Sequence, residues 1–228
     1  MLSGLMIPYF LRTKRFIISY HFQEVRHPFL VPLLWSSIDN RHIYFLFPYV
    51  SGGELFSILR KAKKFPLPTT LFYAAEIVSA LSYLHSLNIV YRDLKPENIL
   101  IDREGHVIIT DFGFAKKVLD RTWTLCGTPD YLAPEIIQSK GHTKAVDWWA
   151  LGILIYEMLV GGPPFFDEDH LALYEKILGG RIRWPRLIEA VARDLIEKLL
   201  VRDWTRRLGS GRTGAEEVMN HRYEKYCL

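Results

Sequence analysis

Glycine is missing where a nucleotide-binding chain often needs it: none occurs between Gly4 and Gly52. That excludes a G-x-G-x-x-G phosphate loop from this region. Cysteine is also scarce. Cys126 and Cys227 are the only two, which argues for a reducing compartment and against a disulfide framework. No charge of one sign dominates. The formal net charge is +4 and the pI about 9.0, with basic and acidic residues interspersed, so no nucleic-acid patch is expected. No long apolar run reads as a membrane span. The apolar opening Met1–Leu11 is too short to cross a bilayer. It precedes the basic run Arg12-Thr13-Lys14-Arg15, the reverse of a secretory signal. What is present is globular. The 228 residues are 49% hydrophobic and 24% charged, enough for one good core and at most two lobes.

The most informative stretch is Tyr91–Gly113. It reads Tyr91-Arg92-Asp93-Leu94-Lys95-Pro96-Glu97-Asn98, then Ile99-Leu100-Ile101, a turn at Asp102–Gly105, a second apolar strand His106–Thr110, and Asp111-Phe112-Gly113. A hairpin with a short Gly-containing turn returns Asp111 beside Asn98. The chemistry this suits is phosphoryl transfer, in which an enzyme mainly positions reactants and neutralises charge. Asp93 is placed to accept a proton from a substrate hydroxyl, and Lys95 to reach the transferred phosphate. Asn98 and Asp111 supply oxygen ligands of the kind Mg²⁺ takes together with phosphates. Asp-Phe-Gly alone is a weak signal, and R-D-x-x-x-x-N alone a moderate one. Both at hairpin distance, followed by Ala133-Pro134-Glu135, form the kinase signature set in order.

On these motifs the chain resembles a eukaryotic protein kinase. Gly113-Phe114-Ala115-Lys116 and Arg121-Thr122-Trp123-Thr124-Leu125-Cys126-Gly127-Thr128-Pro129 are similar to the cyclic-AMP-dependent kinase catalytic subunits of the AGC group. Gln138–His142 and Ala145–Ala150 fit best the X-linked protein kinase branch. The resemblance runs from about Phe22 to His221. It implies an α+β, bilobal protein kinase-like fold, divided as a divergent segment 1–21, a small-lobe and hinge remnant 22–50, a large lobe 51–221 and a C-terminal end 222–228. The small lobe is expected to hold only its last strands. The family's Gly-rich loop and V-A-I-K lysine are absent. Its helix glutamate falls on Ile18, and Lys14 is not promoted to a replacement. An N-terminally incomplete sequence is the expectation that follows. The AGC C-terminal tail is likewise expected to be absent.

The resemblance also implies roles. Asp93, Lys95, Asn98, Asp111 and Thr128 are the catalytic set, with Thr128 bonded to Asp93 and Lys95. ATP and Mg²⁺ are the cofactors. Pro48, Val50, Glu54, Glu97, Asn98, Leu100 and Asp111 face the nucleotide, and Asn98 and Asp111 hold the metal. Pro48 stands where the family usually has Glu; its carbonyl remains, though its φ is stiffened. Thr124 is the expected phosphorylation site, pairing with Arg92 and Lys116. Glu54, Glu97, Glu157 and Asp130 are expected to bind substrate arginines through carboxylate forks, with Asp130 in place of Glu. Leu125, Pro129 and Leu132 are expected to line a pocket for the residue after the acceptor. The partners implied are basic Ser/Thr protein substrates, and a regulatory subunit or pseudosubstrate inhibitor docking near Trp123 and Arg60. Trp123 could equally just pack, and a lone Glu such as Glu54 in a first helical turn is more often a dipole-matching charge. Cys126 reads first as a small packed residue, with reactivity the alternative. The resemblance places the chain in the cytoplasm or nucleus.

Periodicity completes the outline. Phe29–Ser37 and His42–Phe47 read as strands split by a turn at Asp39-Asn40. A short helix runs from Ser51 to Lys61. Thr70–Leu87 is the first long helix, with Leu71, Ala74, Ile77, Val78, Leu81 and Leu84 spaced at three and four. Ala145–Val160 is apolar nearly all round, which marks the buried central helix; its Asp147 is expected to bond the catalytic-loop backbone. Asp169–Leu178, Ala190–Leu200 and Gly214–Asn220 supply further helices. Glu135 is expected to form a buried ion pair with Arg207. A contrasting reading is a non-catalytic module that binds substrates or regulatory subunits, favoured by the missing Gly-rich loop and lysine. The intact Asp93, Lys95, Asn98 and Asp111 favour the enzyme.

Overall fold

The computed structural model describes residues 7–8, 25–39, 41–185 and 188–221. The sequence expectations for Lys14, Ile18, Phe22–Glu24, Asn40, Cys227 and the segment 222–228 lie outside these, as does the segment 1–21 apart from Ile7–Pro8.

A small antiparallel sheet comes first. It joins β1 (Ile7–Pro8), β2 (Trp35–Ile38) and β3 (His42–Leu46) in the order β1-β3-β2. Trp35 pairs with Leu46 and Ile38 with Ile43. Asp39 shapes the turn, its Oδ1 accepting from the backbone N–H of Arg41 and of His42 at 2.6 Å each. The expected strand Phe29–Ser37 is shorter than its apolar run suggests. Pro32 has no N–H to give to a ladder, and the run divides there. Its first half serves the large lobe instead. Ile109 N donates to Phe29 O and Val31 N to Ile109 O, both at 2.9 Å, and Leu30 is 1% exposed.

The rest is mainly helical. In order come α1 (Leu55–Ala62), α2 (Leu67–Ser86), β4 (Ile89–Val90), β5 (Ile99–Ile101), β6 (Val107–Ile109) and β7 (Lys116–Lys117). They are followed by α3 (Pro134–Ile137), α4 (Ala145–Val160), α5 (His170–Gly179), α6 (Ala190–Leu199) and α7 (Ala215–Met219). Helix α2 begins three residues before the expected Thr70. Pro68 lies in its first turn, where a missing N–H costs nothing because that donor has no intrahelical partner. It ends at Ser86, two residues before Asn88, whose φ of 58° is a left-handed conformation Asn tolerates.

Helix α4 is the axis of the core. Trp148, Trp149, Leu151, Ile153, Leu154, Ile155 and Met158 are fully buried. Trp149 stacks on Phe165 at 6.0 Å, and His85 of α2 meets Trp148 edge-on at 5.0 Å. Its sixteen residues are a core helix. No helix among the described residues is long and apolar enough to cross a membrane. Close approach is required at Gly209, where φ is 86° and an added Cβ would lie 2.6 Å from Trp148 Nε1. Gly209→Ala is therefore expected to destabilise the chain by about 1–3 kcal/mol through overpacking, read as a lower midpoint in urea. An unchanged midpoint would mean the Trp148 contact yields freely.

Candidate active site

The site is assembled by local turns and then locked from below by α4. Strands β5 and β6 pair Ile99 with Ile109 and Ile101 with Val107. Thr110 donates from both N and Oγ1 to Asn98 O, at 2.8 and 3.1 Å. The residues flanking the hairpin, Asn98 and Asp111, are thereby held as neighbours.

Underneath, Asp147 of α4 accepts from Tyr91 N at 3.0 Å and Arg92 N at 2.8 Å. Its Oδ2 also meets His85 Nε2 at 2.8 Å. Arg92 has a φ of 70° and Asp111 one of 48°, a region non-glycine residues seldom occupy. For Arg92, the two bonds to Asp147 hold the strained turn. Tyr91 is fully buried. Its hydroxyl donates to Thr110 O at 2.5 Å and its ring meets Phe112 edge-on at 5.6 Å. Tyr91 thus ties the two loops together by one polar and one aromatic contact.

Four of the five residues read as catalytic form one network. Asp93 is 4% exposed. Thr128 Oγ1 donates to Asp93 Oδ1 at 3.1 Å, and Lys95 Nζ donates to Thr128 Oγ1 at 2.9 Å. Lys95 Nζ lies 3.1 Å from Asp93 Oδ2. Asn98 Nδ2 donates to both Asp93 O and Asp93 Oδ2, at 2.9 and 2.7 Å. With its amide donors turned to Asp93, Asn98 keeps its amide oxygen for a hard cation. The fifth, Asp111, is exposed and accepts from Gly113 N at 2.9 Å. Two oxygen donors of this kind suit Mg²⁺ completed by phosphate oxygens and water. Among the described residues no group of three or more His, Cys, Asp or Glu could hold a metal by itself.

The side expected to face a nucleotide is built on the hairpin. Gly52 N donates to Ile101 O and Ile101 N to Gly53 O, both at 2.9 Å. A Cβ on Gly52 would lie 2.3 Å from Ile101 O, so this strand-like approach needs glycine. It brings Glu54 into a bridge with Leu100, two residues expected to face the nucleotide. Pro48 is exposed, Val50 and Leu100 half-buried, and Glu54 and Glu97 exposed.

The acidic face is less uniform than its sequence suggests. Glu157 is 2% exposed. Arg60 Nη2 donates to its Oε1 at 2.7 Å, Tyr131 donates its hydroxyl to Oε2, and burial raises its pKa. A substrate arginine would share this carboxylate with Arg60, which sequence reading had assigned to docking. Asp130 is half-buried and its pKa is also raised by burial. Leu132 and Thr128 line a small cavity beside Asp93, with Pro129 half-buried next to them. Leu125 does not line that cavity and is 67% exposed.

Thr124 is exposed. The two cations read as its partners are engaged nearby. Arg92 Nε donates to Phe114 O at 2.7 Å, and Lys116 Nζ to Thr122 Oγ1 at 2.8 Å. Cys126 is partly buried, with a thiol pKa raised by burial, as fits a packed residue more than a reactive one. Away from the site, Arg207 and Glu135 form the expected buried fork, Nη1–Oε1 at 2.7 Å and Nη2–Oε2 at 2.8 Å. Sequence reading missed His85, Tyr131 and Thr122. No local spacing marks them, because each meets its partner only after the chain folds back.

A bilobal outline, a catalytic loop locked to the central helix and an Asp-Phe-Gly turn beside Asn98 define a protein kinase. The chain belongs to the protein kinase domain family, which it matches over residues 19–224. It is 66% identical over 90% of its length to the cAMP-dependent protein kinase catalytic subunit 3 of Drosophila melanogaster, covering 35% of that protein. With the human cAMP-dependent protein kinase catalytic subunit PRKX it shares 63% identity over 88% of its length and 56% of the relative. With the cAMP-dependent protein kinase catalytic subunit of Dictyostelium discoideum it shares 61% over 93% of its length and 32% of the relative. The chain thus spans about a third to just over a half of these curated relatives.

Proposed function

We propose that this site transfers the terminal phosphoryl group of ATP to Ser or Thr hydroxyls in arginine-rich protein substrates. The observation that supports this most is the Asp93–Lys95–Thr128–Asn98 network. Asp93 is held with Oδ1 beside Thr128 and accepts the hydroxyl proton as the substrate oxygen bonds to phosphorus. The bond from phosphorus to the bridging oxygen breaks, and ADP leaves. Lys95 lies next to Asp93, where it offsets charge on the transferred group. Asn98 and Asp111 would hold Mg²⁺, which would neutralise phosphate charge. Thr124 carries an activating phosphate, paired with Arg92 and Lys116. Glu54, Glu97, Glu157 and Asp130 favour basic substrates. A regulatory subunit or pseudosubstrate inhibitor docks on the exposed face near Trp123, and the protein works in the cytoplasm or nucleus.

The test is phosphate transfer to an Arg-Arg-x-Ser peptide with ATP and Mg²⁺. Asp93→Asn is expected to cut the rate by about 10²–10⁴-fold, the usual contribution of a general base, with peptide affinity retained. A second reading rests on the absence of glycine between Gly4 and Gly52: the chain binds basic peptides without transferring phosphate. Peptide binding with no transfer in either protein would favour it. No binding and no transfer would sink both.

A further inference from the structure

Two buried polar atoms, on Arg92 and on His142, have no role in the network above. Arg92 Nη1 and His142 Nε2 are both sealed from solvent without a hydrogen-bond partner. Buried polar side-chain atoms are nearly always paired, so each of these two requires an explanation. His142 is 2% exposed. Its backbone is fastened to the segment that carries Thr124: Thr122 N donates to His142 O at 3.0 Å and His142 N to Thr122 O at 2.7 Å. Arg121 and Trp123 close over the adjacent Gly141, where a Cβ would lie 2.4 Å from Arg121 Cδ and 2.8 Å from Trp123 Nε1. The charged groups that face His142 are Arg92 and Lys116 on one side of the balance and Glu135 and Asp147 on the other. Burial first, then Arg92, lowers its pKa to about 4.

We propose that His142 is a third cationic arm of the Thr124 phosphate site, taking a proton from solvent and donating Nε2–H to a phosphate held by Arg92 and Lys116. This rests on the reading that Thr124 is phosphorylated. A phosphate adds about −1.5 to −2 charges, which offsets Arg92 and Lys116, the two cations that add to burial in keeping the ring neutral. An opposite charge within a few ångströms favours the charged imidazole. It also gives the unpartnered Arg92 Nη1 an acceptor. The one covalent change is an N–H bond on the ring, made with a proton that solvent gives up.

The experiment uses the whole chain, with and without phosphothreonine at position 124, and follows two signals against pH. The ring carbon shift of His142 reports its protonation, and the phosphorus resonance reports the phosphate. Without the phosphate, His142 should titrate near 4. With it, the midpoint should rise to about 5–7, as close pairing with an opposite charge commonly moves a pKa by 1–3. The second ionisation of the phosphate should fall below its usual value of about 6. His142→Gln should return only part of that fall, because Arg92 and Lys116 remain. A phosphate with a lowered ionisation and an unmoved His142 overturns the His142 arm and leaves the Thr124 site standing. A phosphate that titrates as if free overturns both. If His142→Gln does not fold, the two wild-type titrations still decide.

Discussion

Arg207→Ala should destabilise the chain by about 3–5 kcal/mol, the cost of leaving one buried charge without its partner. Arg207 is 1% exposed and Glu135 2%. Besides its fork on Glu135, Arg207 donates from Nη1 to Ala145 O at 2.8 Å and from Nε to Val201 O at 3.0 Å. Its guanidinium also lies 5.1 Å from the centre of the Trp149 ring. One side chain therefore ties α3, the first residue of α4 and the loop after α6. Alanine removes all of these bonds and strands a carboxylate in the core. Denaturant unfolding of the variant is the measurement. The exposed pair Arg193–Glu197 is the control: Arg193→Ala should cost less than about 0.5 kcal/mol, as for i,i+4 helix pairs. A similarly small effect at Arg207 would mean that Glu135 takes up a proton or finds water. The double variant Glu135→Leu/Arg207→Met should recover much of the loss, since replacing both partners by apolar groups is often near neutral.

Asp147→Ala should have an effect of comparable size, and it should be concentrated on the catalytic loop. Asp147 is fully buried and accepts from two backbone N–H groups and His85. Orphaning a buried donor costs about 1–3 kcal/mol, so the two amides alone account for about 2–6 kcal/mol. Arg92, at φ 70°, has least reason to keep its conformation once that acceptor is gone. The readout is amide hydrogen exchange. Protection at Tyr91 and Arg92 should fall by about 10²-fold or more, at 1.4 kcal/mol for each factor of ten, while α2 keeps most of its own. Equal losses in the loop and in α2 would mean that Asp147 supports the whole lobe. Unchanged protection at Tyr91 and Arg92 would mean that another acceptor holds the loop.

These two predictions also divide what could be read from residue order. The Glu135–Arg207 fork was legible, because both residues sit in motifs with a set order along the chain. The hairpin and its flanking Asn98 and Asp111 were legible as well. Their partners lie within about a dozen positions, and a short turn with alternating apolar residues admits one closure. Helix α4 declared itself by being apolar on every face. Local chemistry moved some boundaries: Pro68 let α2 begin early, and Pro32 cut short the strand expected from Phe29. The occupation of Glu157 was not legible. Arg60 is 97 residues away and Tyr131 26, and the sequence offered both acid and base as surface for partners. His142 was read only as part of a family match, since nothing in its neighbours says that it is sealed beside Arg92.

The sequence by itself determined the family and named the side chains proposed for the chemistry, because those rest on short spacings and residue type. Only the tertiary structure decided which are free to act. It bonded Asn98 and Thr128 to Asp93, closed Glu157 with Arg60 and Tyr131, and left Arg92 Nη1 and His142 Nε2 without partners. The physical reason is that availability depends on burial and on long-range hydrogen bonds. Both are set when α1, α2 and the activation segment fold onto α4, and no local stretch of sequence contains that closure.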